Sequence, residues 1–202
     1  MDLARPILDV VPGVRGEILA TLARLSAPST GRQIERAAGQ PHSSTARVLD
    51  DLVDAGLVVR TSVGRDNTYR LNLDHLAAPA ILALAALRGE LVDRLRKTLS
   101  RHGDVVAAWL FGSAARGDGN RRSDIDILIV HNVSAPGAAA SDLASLGKAW
   151  TGNPVQIVEH SIDTFGALVN DGNPLIAAIR RDGIALTDAS NALLAAVAAA
   201  AR

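Results

Sequence analysis

Two apolar runs separated by a glycine-serine turn restrict this chain more than any other feature. Val105-Val106-Ala107-Ala108-Trp109-Leu110-Phe111 carries no polar side chain and runs directly into Gly112-Ser113-Ala114-Ala115-Arg116-Gly117-Asp118. The second run, Ile125-Asp126-Ile127-Leu128-Ile129-Val130, opens on Ser123-Asp124. Both read as buried strands. A Gly-Ser turn at a strand end lets backbone N–H groups approach phosphate oxygens, and a helix starting there adds favourable dipole charge. Asp124 and Asp126 are two apart, so on a strand both carboxylates project from one face. Two carboxylates suit Mg²⁺, which usually takes further ligands from substrate phosphates. Each of these signals is common by itself; their conjunction is far more specific.

Composition removes several classes. The chain has 202 residues, 48% apolar, with 21 basic against 21 acidic side chains and no cysteine. That length allows one large or two small domains with cores of their own. Disorder and a uniformly basic coat are excluded, as are disulfides and Cys-ligated zinc. No apolar run approaches the roughly 18–20 residues that span a bilayer, and the first residues lack the pattern of a signal peptide. The expected setting is soluble and cytoplasmic, with no membrane partner. Five aromatic residues are too few to stack single-stranded bases. His42, His75, His102, His131 and His160 show no metal-ligand spacing, although His131 and His160 follow strand ends and could line a pocket.

The N-terminal zone follows a different plan. Val14, Ile18, Leu22 and Leu25 recur at helical spacing. Pro28-Ser29-Thr30-Gly31 then breaks the chain, and Thr30 can cap a second helix carrying Ile34, Ala37 and Ala38. After Gly39-Gln40-Pro41 a third helix runs from about Ser43 to Gly56, with Val48, Leu49, Leu52 and Val53 facing inward. Leu57 to Arg60 and Thr68 to Leu71 read as strands around a Gly64-Arg65-Asp66-Asn67 turn.

This order, with its SSTARVLDDLVDAGLVV run, resembles the winged helix-turn-helix domains of the MarR and ArsR type. Such a domain presents the start of its recognition helix to the major groove of double-stranded DNA. That puts Gln40, His42, Ser43, Ser44 and Arg47 toward base edges and Arg65 and Asn67 of the wing turn toward phosphate or the minor groove. Residues 1–73 carry 9 basic against 8 acidic side chains, a thin excess for a phosphate binder. Arg32, Arg47, Arg65 and Arg60 could still form one basic face, and a protein-interaction role stays open.

The second motif, Phe111-Gly112-Ser113-Ala114-Ala115-Arg116-Gly117 followed by Ser123-Asp124-Ile125-Asp126, resembles the signature of the DNA polymerase beta-like nucleotidyltransferases, in their minimal, MNT-type branch. The resemblance implies a mixed sheet with flanking helices that binds a Mg²⁺-nucleoside triphosphate. Gly112, Ser113, Arg116 and Ser123 would hold nucleotide, with Arg121 or Arg122 adding positive charge. Asp124 and Asp126 would be the catalytic, metal-holding pair. The implied chemistry is transfer of a nucleoside monophosphate to a hydroxyl of a protein, RNA or small molecule, with release of pyrophosphate. Active members usually carry a third carboxylate on the next core strand. Here that strand is Pro154 to His160, and the aligned residue is Gln156, an amide that is no base at neutral pH. Glu159 falls on the opposite face unless a bulge resets the register.

The chain is therefore expected to be α+β. A winged helix-turn-helix occupies 1–73, a connecting helix or helices 74–103, a nucleotidyltransferase-type mixed sheet 104–188 and an Ala-rich tail 189–202. In the last zones, Ser161 caps a helix, Pro174 to Arg181 forms another, and Gly183 to Leu186 forms a closing strand; the tail is either a packed helix or frayed. Leu76, Ala80, Leu84, Leu87, Leu91, Leu95 and Leu99 form a stripe along the connector. It can cover the sheet, pair two copies as a homodimer, or divide those tasks. Two functions stay open: a DNA-binding regulator that senses Mg²⁺-NTP with impaired catalysis, or a working nucleotidyltransferase targeted by its winged helix.

Overall fold

A computed structural model describes residues 1–132 and 137–200. The chain divides into two compact units, one spanning 4–87 together with Asp2, the other running from Arg88 onward together with Met1 and Leu3.

In the N-terminal unit the order is α1 (Gly13–Arg24), β1 (Ser29–Thr30), α2 (Gly31–Ala38), α3 (His42–Asp54), β2 (Val58–Val63), β3 (Asp66–Leu71) and α4 (Ala78–Ala85). Ile18, Leu22, Ile34, Leu49, Leu52, Val58, Leu71 and Ile81 share one core. Local chemistry sets the helix limits. The Gln33 N–H donates to Thr30 Oγ1 at 3.3 Å, and the Thr30 N–H donates to Gln33 Oε1 at 2.8 Å, a reciprocal cap on α2. At the end of α3, the Leu57 N–H donates to the Leu52 carbonyl and the Gly56 N–H to that of Val53, the paired bonds of a Schellman stop. The sheet has the order β1-β3-β2.

Several details differ from the sequence reading. Leu25 lies past the end of α1 in extended backbone and is exposed, because Ala27 and Pro28 already lead the chain away. Ala37 is exposed, since the inward stripe of this short helix is spent on Ile34 and Ala38. The hairpin turn is only Gly64-Arg65; Val63 pairs with Asp66, so Asp66 and Asn67 belong to β3. Ser29 and Thr30 pair with Tyr69 and Thr68 and add a third strand.

The expected connector forms two helices that part at Ala86. α4 packs Ala78 and Ile81 into the N-terminal core, while α5 (Leu87–Leu99) buries Leu91, Leu95 and Leu99 in the C-terminal unit. Leu76 is 98% exposed and precedes both helices, so the leucine stripe is not one continuous face.

The C-terminal unit continues with β4 (Val105–Phe111), α6 (Gly112–Arg116), β5 (Ile125–His131), α7 (Ala138–Thr151), β6 (Val155–Ser161), α8 (Ile162–Asn170), α9 (Pro174–Asp182), β7 (Ile184–Ala185) and α10 (Ser190–Ala200). The sheet order is β6-β5-β4-β7, with β5 and β6 parallel and the other pairs antiparallel. Apolar side chains cover both faces, which explains the unbroken apolar runs. Ala108, Leu110, Ile125, Ile127 and Ile129 pack with α5 and α7; Ala107, Trp109, Leu128 and Val130 pack with Phe165, Ile176 and Ile179. Trp109 stacks on Phe165 with ring centroids 5.4 Å apart. The Ala-rich segment forms α10, whose Leu193, Leu194 and Val197 join that second core; the last two residues lie outside the described set. No helix among the described residues is long and apolar enough to cross a membrane.

His131 lies at the far end of β5 from Asp126, so it does not line a pocket with the aspartates. His160, paired with Val130, is equally remote. His131 instead bridges two acids: Nδ1 is 3.1 Å from Asp104 Oδ2, and Nε2 is 2.8 Å from Glu159 Oε1. Its side chain is 3% exposed, against 31% and 24% for the two carboxylates. Replacing His131 with leucine would leave both acids facing a buried apolar group. A loss of about 2–4 kcal/mol in urea denaturation is expected, reduced from a fully buried pair because both acids reach water. A variant as stable as wild type would show the bridge to be idle.

Candidate functional site

The aspartate site forms where β4 stops and β5 begins. Phe111, the last residue of β4, pairs with Asp126. Gly112 then takes φ +68°, and a Cβ built on it would overlap the Asp126 carboxylate. Only glycine satisfies both the backbone angle and the contact. Asp124 lies just before β5 instead of inside it, because the ladder starts at Ile125, whose N–H donates to the Pro154 carbonyl at 2.8 Å. The carboxylates nonetheless stay close enough to interact. Burial pushes the Asp126 carboxyl above the ordinary carboxylate range, the Asp124 charge pushes it further, and Arg116 pulls it back.

Gln156 stands directly beside Asp126 in the parallel β5–β6 register. Its Nε2 donates to Asp124 Oδ2. The β5–β6 pairing runs in unbroken step from Ile125↔Val155 to His131↔Ser161, so no bulge turns Glu159 toward the aspartates. Glu159 pairs with Ile129 on the other face and is engaged by His131.

Two mutually repelling carboxylates, with an amide instead of a cation as the partner of Asp124, form a donor set that fits a hard divalent ion carrying ligands of its own. Among the described residues, no group of three His, Cys, Asp or Glu side chains could hold a metal unaided. The ion would therefore need oxygens from substrate or water.

The remaining sequence candidates fall into place unevenly. Ser113 is half-buried at the second position of α6, its hydroxyl facing Gly119. α6 is only five residues long, so the expected dipole contribution is small and any phosphate contact rests on the Gly112-Ser113 turn itself. Arg116 Nε donates to Asp118 Oδ2 at 3.0 Å, with Asp182 3.9 Å from Nη1. That hydrogen bond to Asp118 holds the guanidinium more firmly protonated but occupies part of its donor fork. Ser123 Oγ accepts the Asn120 N–H at 2.9 Å and so shapes the loop before Asp124. Arg121 and Arg122 are exposed. The sequence reading missed Asn153, which is fully buried and donates to the carbonyls of Asn120 and Ser123 at 3.2 and 2.9 Å. Its only sequence signal is an asparagine after a glycine at a helix end.

In the N-terminal unit, His42, Ser43, Arg47 and Arg65 are exposed, and Gln40 and Ser44 half-exposed. α3 begins at His42, one residue earlier than expected, with no side-chain cap. His42 Nδ1 lies 2.9 Å from Glu35 Oε2. Arg60 is not a free member of a basic face: its Nη1 donates to Asp50 Oδ1 on α3 at 3.0 Å.

Comparison with known proteins decides the families. Residues 11–67 match the MarR family and residues 92–165 match the Nucleotidyltransferase domain. The chain is a MarR-family domain joined to a nucleotidyltransferase domain. No curated protein matches it. Among solved structures, a toxin–antitoxin complex with AMP-PNP is 19% identical and aligns over 55% of this chain and 82% of that one, with TM-score 0.40. A structure of a tri-AMPylated Shewanella oneidensis HEPN toxin with MNT antitoxin is 18% identical over 56% and 84%, with TM-score 0.37. A MarR family transcription regulator is 19% identical over 50% and 66%, with TM-score 0.34.

The raised carboxyl in the nucleotidyltransferase domain has a consequence for stability. The folded chain holds the Asp126 proton more tightly than the unfolded chain does. Stability is therefore lost as pH rises from the ordinary carboxylate range through the raised one, and the ionised group is a cost at neutral pH. Asp126→Asn should raise the melting temperature of the metal-free protein at neutral pH. The difference from wild type should shrink toward acid pH, where Asp126 is protonated in both states. Melting curves that coincide at every pH would contradict the carboxylate repulsion.

Proposed function

We propose that the protein is a DNA-binding transcriptional regulator whose nucleotidyltransferase domain binds a Mg²⁺-nucleoside triphosphate and is impaired in transfer. The observation that carries this reading is Gln156, which stands beside Asp126 and donates to Asp124. Active members of the nucleotidyltransferase family that the motif resembles usually carry a carboxylate on this strand, and an amide takes no proton from an acceptor hydroxyl. Asp124 and Asp126 would hold Mg²⁺, whose charge offsets that of the triphosphate. Backbone N–H groups of the Gly112-Ser113 turn and the Ser113 hydroxyl would bind phosphate oxygens, with Arg116 near by and Ser123 ordering the adjacent loop. Binding needs only these parts.

In the MarR-family domain, His42, Ser43, Ser44 and Arg47 on the first turns of α3, with Gln40 before them, would meet the major groove of double-stranded DNA. Arg65 at the two-residue wing turn would meet phosphate or the minor groove. Two copies would read a two-fold operator, and the uncharged α4, with Leu82 exposed beside alanines, supports a homodimer contact. A cytoplasmic setting fits a DNA ligand. The second reading, a working transferase, is kept open by the intact Gly112-Ser113 turn and the Asp124–Asp126 pair.

Calorimetric titration of the four nucleoside triphosphates, with and without Mg²⁺, tests the central claim. Mg²⁺-dependent binding by wild type that disappears in Asp126→Asn is expected, together with no labelled nucleotide transferred to protein or RNA. Transfer gained by Gln156→Asp would mark the missing carboxylate as the defect, whereas efficient transfer by wild type would favour the second reading. No binding at millimolar nucleotide would leave the domain a scaffold. On DNA selected from a random library, Arg47→Ala should cost about 1–3 kcal/mol and Arg65→Ala should lower the salt slope by about 1. Unchanged binding by both variants would remove the DNA reading. Light scattering at micromolar concentration should give a dimer.

A further inference from the structure

Arg88 holds the segment that carries the Gly112-Ser113 turn, although nothing in the sequence motif includes it. α6 spans only five residues, too few to be stable by itself, and its last carbonyls have no partner within the helix. Arg88, on the first turn of α5, meets two of them. Its Nε donates to the Ala114 carbonyl at 2.9 Å and its Nη2 to the Ala115 carbonyl. Gly117, which ends α6, makes room for this: a Cβ there would lie 2.7 Å from Arg88 Nη1. Within the same short segment, the Gly117 and Asp118 N–H groups both donate to the Ser113 carbonyl, at 2.9 and 3.2 Å. The turn is thus closed on itself by Ser113 and clamped from outside by one guanidinium.

We propose that Arg88 is a positioning residue for the phosphate-binding turn, fixing Gly112 and Ser113 through α6 without touching the ligand. The proposal rests on the nucleotide reading above. A planar fork satisfies two neighbouring carbonyls in one fixed geometry, whereas a lysine brings a single point charge on a flexible stem. Binding to a turn held in place avoids the cost of ordering it. Arg88→Lys keeps the charge and the apolar stem, so it separates the fork from mere charge. A side chain that only caps a helix would change stability and leave affinity for phosphate alone.

The experiment compares the full-length wild type, Arg88→Lys and Arg88→Ala. Hydrogen exchange reports on the amides of residues 112–117, and calorimetry follows inorganic triphosphate with Mg²⁺, a probe without a base. In Arg88→Lys, exchange in that segment should quicken about tenfold with the rest unchanged, and the triphosphate Kd should rise about tenfold, the loss of one charge-assisted hydrogen bond. Arg88→Ala should exceed both; if it fails to fold, the lysine arm decides. Unchanged exchange overturns the proposal whatever the ligand does. Faster exchange with wild-type triphosphate affinity also overturns it, leaving Arg88 a structural cap. A wild type that ignores triphosphate overturns the nucleotide reading itself and leaves Arg88 nothing to position, an outcome distinct from a defect confined to the variants.

Discussion

The Asp126 carboxylate rests against the bare Cα of Gly112, and the geometry of the C-terminal unit follows from that contact. β4 must end at Phe111, because the next residue has left-handed backbone. α6 must start there, and β5 must open on a charge that is partly withdrawn from water. A buried acid beside a second acid is unfavourable for the fold alone. The arrangement becomes economical when a cation enters, which is why it points to function more clearly than any cavity does.

The two faces of the sheet keep separate chemistry. Asp126, Leu128 and Val130 look one way along β5 and Ile127, Ile129 and His131 the other, as strand alternation requires. Through the parallel register, Gln156 joins the first set and Glu159 the second. An acid three residues along β6 is therefore turned away from position 156, and it is engaged by His131. On the function proposed above, the domain would keep the parts that need only to bind charge and lack the part that would move a proton.

Much of this was legible in the sequence, for physical reasons that can be named. Unbroken apolar runs mark β4 and β5, Thr30 marks the start of α2, and Gly56 marks the end of α3. The motif places the Gly-Ser turn and the paired aspartates close together in the chain, and counting along the next strand puts Gln156 level with Asp126, as the register has it. What stayed hidden depends on contacts between residues far apart in the chain. Arg88 sits 26 residues before the first carbonyl it holds, Asn153 lies 33 after Asn120, and His131 lies 27 after Asp104. No local pattern encodes such pairs. For the connector the sequence leaves one helix or two open, because leucines at threes and fours look alike in either, and packing divides α4 from α5.

The position of β6 at one end of the strand order bears on how the protein behaves in crowded solution. A terminal strand offers its outer row of backbone groups to any other extended chain, and a flat apolar one invites association. Pro154 stands just before β6, Gln156 is exposed on it, and Glu159 sets a charge in its middle. The acid that anchors His131 thereby also makes this border a poor template for another chain.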